Sequence, residues 1–370
     1  MTPSHGHQSR RHFLRSAAAL ALVGVTSMSA GSRPLRANPS TACGIGTVVP
    51  IGTDPRIELM SVVQLLADYF LVSQYDTAYK NEMRSRFARF AAHPVVDMFR
   101  RMAEERFNFS TVPDVILRYS PPPALEPRIV VPPHLVEAAG GENRLASFIA
   151  ALRAFARESA FELFFRQHEP FYAALAERAG ATAAPVTAAL ACYVGTAIEN
   201  GRVILGPLLH DGGFAAFYDL PDGSTEAFAL IGPTPPVDGL PSFGDAARME
   251  ELVAHEFGHL LVNPLTERHR ELVYSHEAAF APIAEAMRRN GYADWKASVD
   301  EHVIRAITSR LAAASRGEEA GAAAAADQVG RGYVYVPALI DRLKRYERDR
   351  SRYPRLEDYY PELLRAFVVK

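Results

Sequence analysis

The sequence predicts an α+β protein that is mainly helical, and three observations lead there. Apolar residues recur at helical spacing through most of residues 56–180, and again from 245 nearly to the C-terminus. Between these stretches, 193–209 and 214–231 are rich in β-branched and aromatic residues and are broken by Gly-rich turns. Composition supports a folded chain: of 370 residues, 48% are hydrophobic and 22% charged, with a formal charge of −2 and two cysteines. Those values exclude a disordered chain and a disulfide-framework miniprotein, and they argue against nucleic-acid binding through bulk positive charge.

The elements follow in order. Residues 58–69 carry Leu59, Val62, Val63, Leu65 and Leu66 on one helical face. Residues 79–92 and 94–105 read as two further amphipathic helices. Ser120-Pro121-Pro122-Pro123 and Val131-Pro132-Pro133 break the pattern and mark a loop. Residues 143–165 predict one strong helix and 169–180 another. Asn200-Gly201 and Asp222-Gly223 are residue pairs that favour tight hairpins, so 193–231 predicts a small antiparallel sheet, ended by 234–239. Helix returns from 245. The alanine-rich stretch 318–332 fits either a loop or a frayed helix. The domain expectation is a signal at 1–37, a linker at 38–55, a mainly helical region at 56–190 and a catalytic region at 191–370, the last two forming one compact unit.

The chemistry lies in His255-Glu256-Phe257-Gly258-His259, a His-Glu-x-x-His pattern. On a helix, His255 and His259 sit one turn apart on one face, so both imidazoles reach one zinc ion at about 2.0–2.1 Å. Glu256, offset by one residue, reaches a water instead and acts on it as general base. Met249, Leu252, Val253, Leu260 and Leu261 give this helix a buried face, and Pro264 is expected to stop it. Buried polar groups must be satisfied, and a metal does so. The bland alternative is a pair of hydrogen-bonded core histidines beside a salt-bridged glutamate.

A catalytic zinc needs a third protein ligand. Val262 and Leu265 stand where a metzincin needs Gly and His, which excludes that class. The remaining candidates are His269, His276, Glu277, Glu301 and His302. Glu301 is favoured over Glu277: it falls on a helical stretch, with Arg305 one turn later to orient its carboxylate. The alternative for that pair is a solvated Glu–Arg contact on a helix surface.

This motif, followed by a helical Glu301, resembles the gluzincin branch of zinc metallopeptidases. The chain also resembles a bacterial exported family, domain of unknown function 4932. The matching pieces are Arg56 to Val63, His93-Pro94-Val95-Val96, the motif helix running into Asn263-Pro264, Glu301 to Ala306, and Gly332-Tyr333-Val334-Tyr335-Val336-Pro337. The resemblance implies a zincin-like catalytic core with an active-site helix, and peptide-hydrolase chemistry. It implies His255, His259 and Glu301 as zinc ligands and Glu256 as the base. The gluzincin Asn-Glu pair around the third ligand is Asp300-Glu301 here. Gluzincin-like sites also carry an oxyanion donor; Tyr333 is the expected one, with core stacking as its alternative, and His210 is a rival read as a loop histidine. In a zincin-like fold, 213–218 forms the sheet edge that pairs with an extended substrate.

Ser9-Arg10-Arg11-His12-Phe13-Leu14-Arg15 resembles the twin-arginine export motif, and 16–30 is small, apolar and uncharged. That apolar run falls short of the roughly 20 residues a spanning helix needs, so a cleaved signal is expected and an N-terminal anchor is the alternative. Its arginines leave with the signal, so the remaining chain is more acidic than −2. Cys43, after Ser40-Thr41-Ala42, faintly resembles a lipoprotein site; Cys43 and Cys192 either pair in an oxidising compartment or stay reduced. Together these readings predict a periplasmic or extracellular zinc-dependent metallohydrolase, a peptidase acting on peptide or protein substrates. No nucleic acid, and no membrane after signal cleavage, is expected; the oligomeric state is open. The alternatives are a non-catalytic binding protein on a zincin scaffold, or a zinc amidohydrolase on a non-peptide substrate.

Overall fold

The computed structural model describes residues 49–367, so the expected signal at 1–37, and Cys43, lie outside the described residues. The fold is mainly helical α+β, as expected. Contacts divide it into two units. One comprises Val48–Ala184 and Ile198–Leu260; the other includes Pro185–Ala197 and Leu261–Lys370.

In the first unit, β1 (Ile51–Gly52) leads into α1 (Pro55–Leu66). Asp54 caps α1 by accepting from the Arg56 N–H, and Pro55 supplies a first-turn residue that needs no N–H partner. Then come α2 (Ala78–Phe87), α3 (Pro94–Glu105), α4 (Thr111–Ile116) and α5 (Pro133–Ala138). The helix expected over 143–165 is two helices, α6 (Glu142–Glu158) and α7 (Phe161–Gln167). Between them Ala160 takes a left-handed backbone, at φ 52°, with no glycine to announce it. The helix expected over 169–180 is the longer α8 (Glu169–Val194), whose residues from Pro185 on belong to the other unit.

The strands are β2 (Asn200–Leu205), β3 (Gly213–Asp219) and β4 (Thr225–Ile231). With β1 they form a four-stranded sheet in the order β1-β2-β4-β3. It is mixed rather than antiparallel: β1 and β4 pair parallel to β2, and only β3–β4 is antiparallel. The continuous apolar run Ala227-Phe228-Ala229-Leu230-Ile231 is buried throughout, which suits an interior strand. β4 therefore takes the inside position and β3 the edge. Asp222-Gly223 turns the β3–β4 hairpin as expected, with Gly223 at φ 83°. Asn200-Gly201 turns nothing; it lies inside β2. Beyond the sheet, β5 (Thr234–Val237) and β6 (Leu240–Ser242) form a further hairpin through Asp238-Gly239, both with positive φ.

One face of the sheet packs Ile204, Ala216, Tyr218, Phe228 and Leu230 against Ile57 of α1 and Leu117. The strands therefore share a core with the N-terminal helices.

The motif lies on α9 (Ala246–Arg268). Asp245 starts this helix, its Oδ1 accepting from the Arg248 N–H at 2.9 Å. Pro264 does not stop it: Leu261 and Val262 before the proline and Leu265 after it are all buried, and that burial offsets the missing helix hydrogen bond.

After Leu261 the second unit builds α10 (Arg270–Ser275), α11 (Ala284–Arg289), α12 (Trp295–Arg316), α13 (Glu318–Gly330), α14 (Val336–Arg348) and α15 (Leu356–Leu364). Trp295, fully buried, donates its indole N–H to the Val273 carbonyl at 2.8 Å and ties α12 to α10. The alanine-rich stretch resolves as helix. Gly321 lets α13 approach α12 closely, since a Cβ there would meet the Ala313 Cβ at 2.5 Å. Cys192 is partly buried on α8, and its carbonyl accepts from Arg350. No helix among the described residues is long and apolar enough to cross a membrane.

Candidate metal centre

Helix α9 is held to the sheet by its apolar face. Met249, Val253 and Phe257, spaced four apart, are all buried. Phe257 packs beneath β2 at Gly201, where a Cβ would stand 3.2 Å from the Phe257 ring and 2.6 Å from Ile198. Gly201 is thus a close-approach residue for the motif helix. The same register turns His255 and His259 to another face, where both stay half-buried. Their ring centroids are 5.0 Å apart and the rings stand at 88°.

Glu256 is buried, at 6% exposure. Its carboxylate lies under the first residue of β3: a Cβ on Gly213 would stand 2.5 Å from Oε1 and 2.9 Å from Cδ. The edge strand and the expected base therefore meet at a position where only glycine fits. The loop entering β3 is braced. Arg248 of α9 donates to the carbonyls of Asp211 and Phe243, and Gly232 donates to the Gly212 carbonyl at 2.9 Å. His210 accepts the Gly212 N–H on Nδ1 at 2.9 Å, so its own proton sits on Nε2. Burial pushes its pKa down to about 4, which keeps the ring neutral. His210 is a built part of this loop, as expected.

Glu301 projects from α12 and is 2% exposed. Arg305, one turn on, donates to its Oε2 through Nε at 3.1 Å and Nη2 at 2.9 Å. Arg305 in turn donates to Gln328 Oε1 at 2.8 Å, and its guanidinium lies 4.0 Å from the Tyr333 ring centroid. Tyr292, half-buried, hydrogen-bonds Glu301 as well; burial and that negative neighbour keep its hydroxyl protonated far above the ordinary range. The pair is buried, not the solvated surface contact that was its alternative.

One ligand atom each from His255, His259 and Glu301 lies within 4.8 Å of the others. Two imidazoles and one carboxylate are a donor set that suits zinc, leaving a fourth position open.

The other candidates fall elsewhere. Glu277 is exposed at the start of a 3-10 turn. His269 stacks on Tyr360 at 5.7 Å. His302 donates Nδ1–H to the Ser298 carbonyl at 2.6 Å, and burial lowers its pKa to about 4, so it is a neutral core histidine among Tyr333, Tyr335 and Phe367. Tyr333 is 1% exposed, with its ring on Arg305 and in a T-shaped contact with His302, so it braces the partner of Glu301. Sequence reasoning missed Tyr292 and Gln328, which lie 9 residues before and 27 after Glu301 with no spacing rule to connect them. It also missed Gly213, whose only signal is the Gly212-Gly213 pair ahead of a strand.

A family model described as "Domain of unknown function (DUF4932)" matches residues 134–366. The chain belongs to the DUF4932 family. No curated protein and no solved structure matches it. In this DUF4932 protein the matched span holds His255, Glu256, His259, Glu301, Arg305 and Tyr333, and it begins after α1 to α4.

Proposed function

We propose that this DUF4932 protein is a zinc-dependent hydrolase of the gluzincin type, and that its substrates are peptides. The observation that carries this reading is the grouping of His255, His259 and Glu301 with a buried Glu256 set between the motif helix and an edge strand. His255, His259 and Glu301 would hold a zinc ion, which would supply Lewis acidity to a scissile carbonyl and to a water. Glu256 takes the proton from that water onto its carboxylate and returns it to the leaving amine. Arg305 holds Glu301 through Oε2 and so orients the carboxylate of the proposed third ligand. A purely structural zinc site has no use for Glu256, which favours catalysis over a binding scaffold.

Metal analysis of the purified mature chain tests the reading first. About one zinc per chain is expected, and less than about 0.2 counts against it. Glu256→Gln should retain the metal and lose hydrolysis of a peptide library; undiminished turnover refutes the assigned base. Export by the twin-arginine route is part of the same proposal and rests on Arg10-Arg11 and the apolar run behind them. Changing both arginines to lysine should leave the protein in the cytoplasmic fraction; unchanged export rejects the route.

A further inference from the structure

We propose that Tyr292 is a positioning residue for Glu301: its hydroxyl donates to the Glu301 carboxylate and, together with Arg305, sets the direction from which that carboxylate meets a divalent cation. The proposal rests on the zinc reading above and adds to it a residue delivered by a helix end.

Tyr292 and Tyr333 arrive at Glu301 and Arg305 in the same way. Helix α11 ends at Arg289, and Gly291 follows in a left-handed backbone at φ 95°. The Gly291 N–H donates to the Arg288 carbonyl at 3.1 Å, and the Tyr292 N–H to the Met287 carbonyl at 2.9 Å. Those two bonds make a Schellman cap, which closes a helix and fixes the heading of the residue after the glycine. Helix α13 ends likewise. Gly332 stands at φ 100°, its N–H donates to the Val329 carbonyl at 2.9 Å, and the Tyr333 N–H donates to the Gln328 carbonyl at 3.0 Å. Each cap therefore delivers a tyrosine as its next residue. Tyr292 reaches Glu301 with its hydroxyl, and Tyr333 lays its ring on Arg305.

The two caps are joined. Asn290 Nδ2 donates to the Arg331 carbonyl at 2.8 Å, and each of these residues directly precedes the glycine of its cap. Gly332 lets α11 come close, since a Cβ there would stand 2.8 Å from the Ala286 Cβ. Gln328 closes the second cap with its carbonyl and takes the Arg305 guanidinium on its side-chain oxygen at 2.8 Å. The mount of Tyr292 and the mount of Arg305 are thus one piece.

The chemistry of a phenol suits this place. Arg305 holds the carboxylate through Oε2, and a carboxylate held on one side still turns about its last bond. A second donor from another element removes that freedom. A phenol is uncharged at neutral pH, so it adds a hydrogen bond without adding a positive charge beside a metal ligand.

Cobalt(II) binding to the mature, metal-free chain tests this, because cobalt takes the donors of a zinc site and its visible absorption follows their geometry. Tyr292→Phe removes the hydroxyl alone. Losing an outer partner of a metal ligand typically costs 10–100-fold in affinity, and Arg305 remains, so cobalt should bind about tenfold more weakly, with a shifted spectrum. The melting temperature of the metal-free variant should stay near wild type. Gly291→Ala should act in the same direction through φ alone, since an added Cβ there meets nothing within 4 Å. Tyr335→Phe is the control, because its hydroxyl donates to the Ala279 carbonyl at 2.8 Å; cobalt binding should be unchanged. Wild-type cobalt affinity and spectrum in Tyr292→Phe, or equal weakening in Tyr335→Phe, overturns the positioning role and leaves the zinc reading standing. Wild-type cobalt binding in Gly291→Ala overturns delivery by the cap. A wild-type chain that binds no cobalt overturns both this role and the zinc reading.

Discussion

A carboxylate with 2% exposure needs a countercharge, and Glu301 has Arg305. Arg305 needs its own partners, and Gln328 and the Tyr333 ring provide them. The chain of contacts fixes Glu301 before any metal arrives. Removing an outer partner of a metal ligand typically costs 10–100-fold in affinity, so Arg305→Ala should weaken zinc binding by about that factor. Competition against a fluorescent chelator measures it. Arg305→Lys should recover part of the loss, because one donor replaces a fork of two. Zinc affinity unchanged in Arg305→Ala would remove Glu301 from the ligand set. The exposed Glu277 predicts no effect on substitution. The Glu301–Arg305 pair was legible as an i,i+4 spacing, but its burial was not, because its neighbours Tyr292, Gln328 and Tyr333 lie far along the chain.

At the scale of elements, two glycines set how α9 meets the sheet. Gly201 admits Phe257 beneath β2, and Gly213 admits the Glu256 carboxylate beneath β3. Gly213→Ala would push a Cβ into Oε1 and into the Leu230 carbonyl, which lies at 2.9 Å from that position. The helix is pinned by its buried face, so the Glu256 side chain must move instead. A displacement of about 1 Å near the chemistry can cost 10²-fold in rate. The expected outcome is peptide hydrolysis reduced about that much while zinc content stays near wild type; full activity would show that the carboxylate is free to give way. The motif helix and its periodicity were readable, as was the β3–β4 hairpin. The mixed order of the sheet was not. Asn200-Gly201 has the composition of a turn, yet its glycine serves a neighbouring helix, and composition cannot distinguish the two uses.

At the scale of the whole molecule, stability should depend on pH through a group far in sequence from the motif. Glu58 on α1 is fully buried, with Tyr79 donating to its Oε2 at 2.5 Å and its Oε1 without a hydrogen-bond partner. Burial, only partly offset by the Tyr79 hydrogen bond, raises its pKa from 4.5 to about 8. The folded chain holds this proton more tightly than the unfolded chain does. Its contribution is therefore full below about pH 4.5 and is lost as pH rises to about 8, at up to ~1.4 kcal/mol per unit. Glu58→Gln should flatten that slope and be more stable than wild type at pH 8. Urea unfolding at pH 5 and pH 8 reads the difference; parallel losses in both proteins would show that Glu58 titrates normally.

The sequence by itself determined the mainly helical α+β class, the helix that carries His255, Glu256 and His259, and the one-turn spacing of Glu301 and Arg305. These are local properties: periodicity, capping and i,i+4 geometry act within a few residues. Only the tertiary structure decided the rest. It placed Glu301 within 4.8 Å of the two histidines, set β3 at the sheet edge over Glu256, and laid the Tyr333 ring on Arg305. Each of those outcomes depends on which surfaces exclude water together, and residues far apart in the chain settle that jointly.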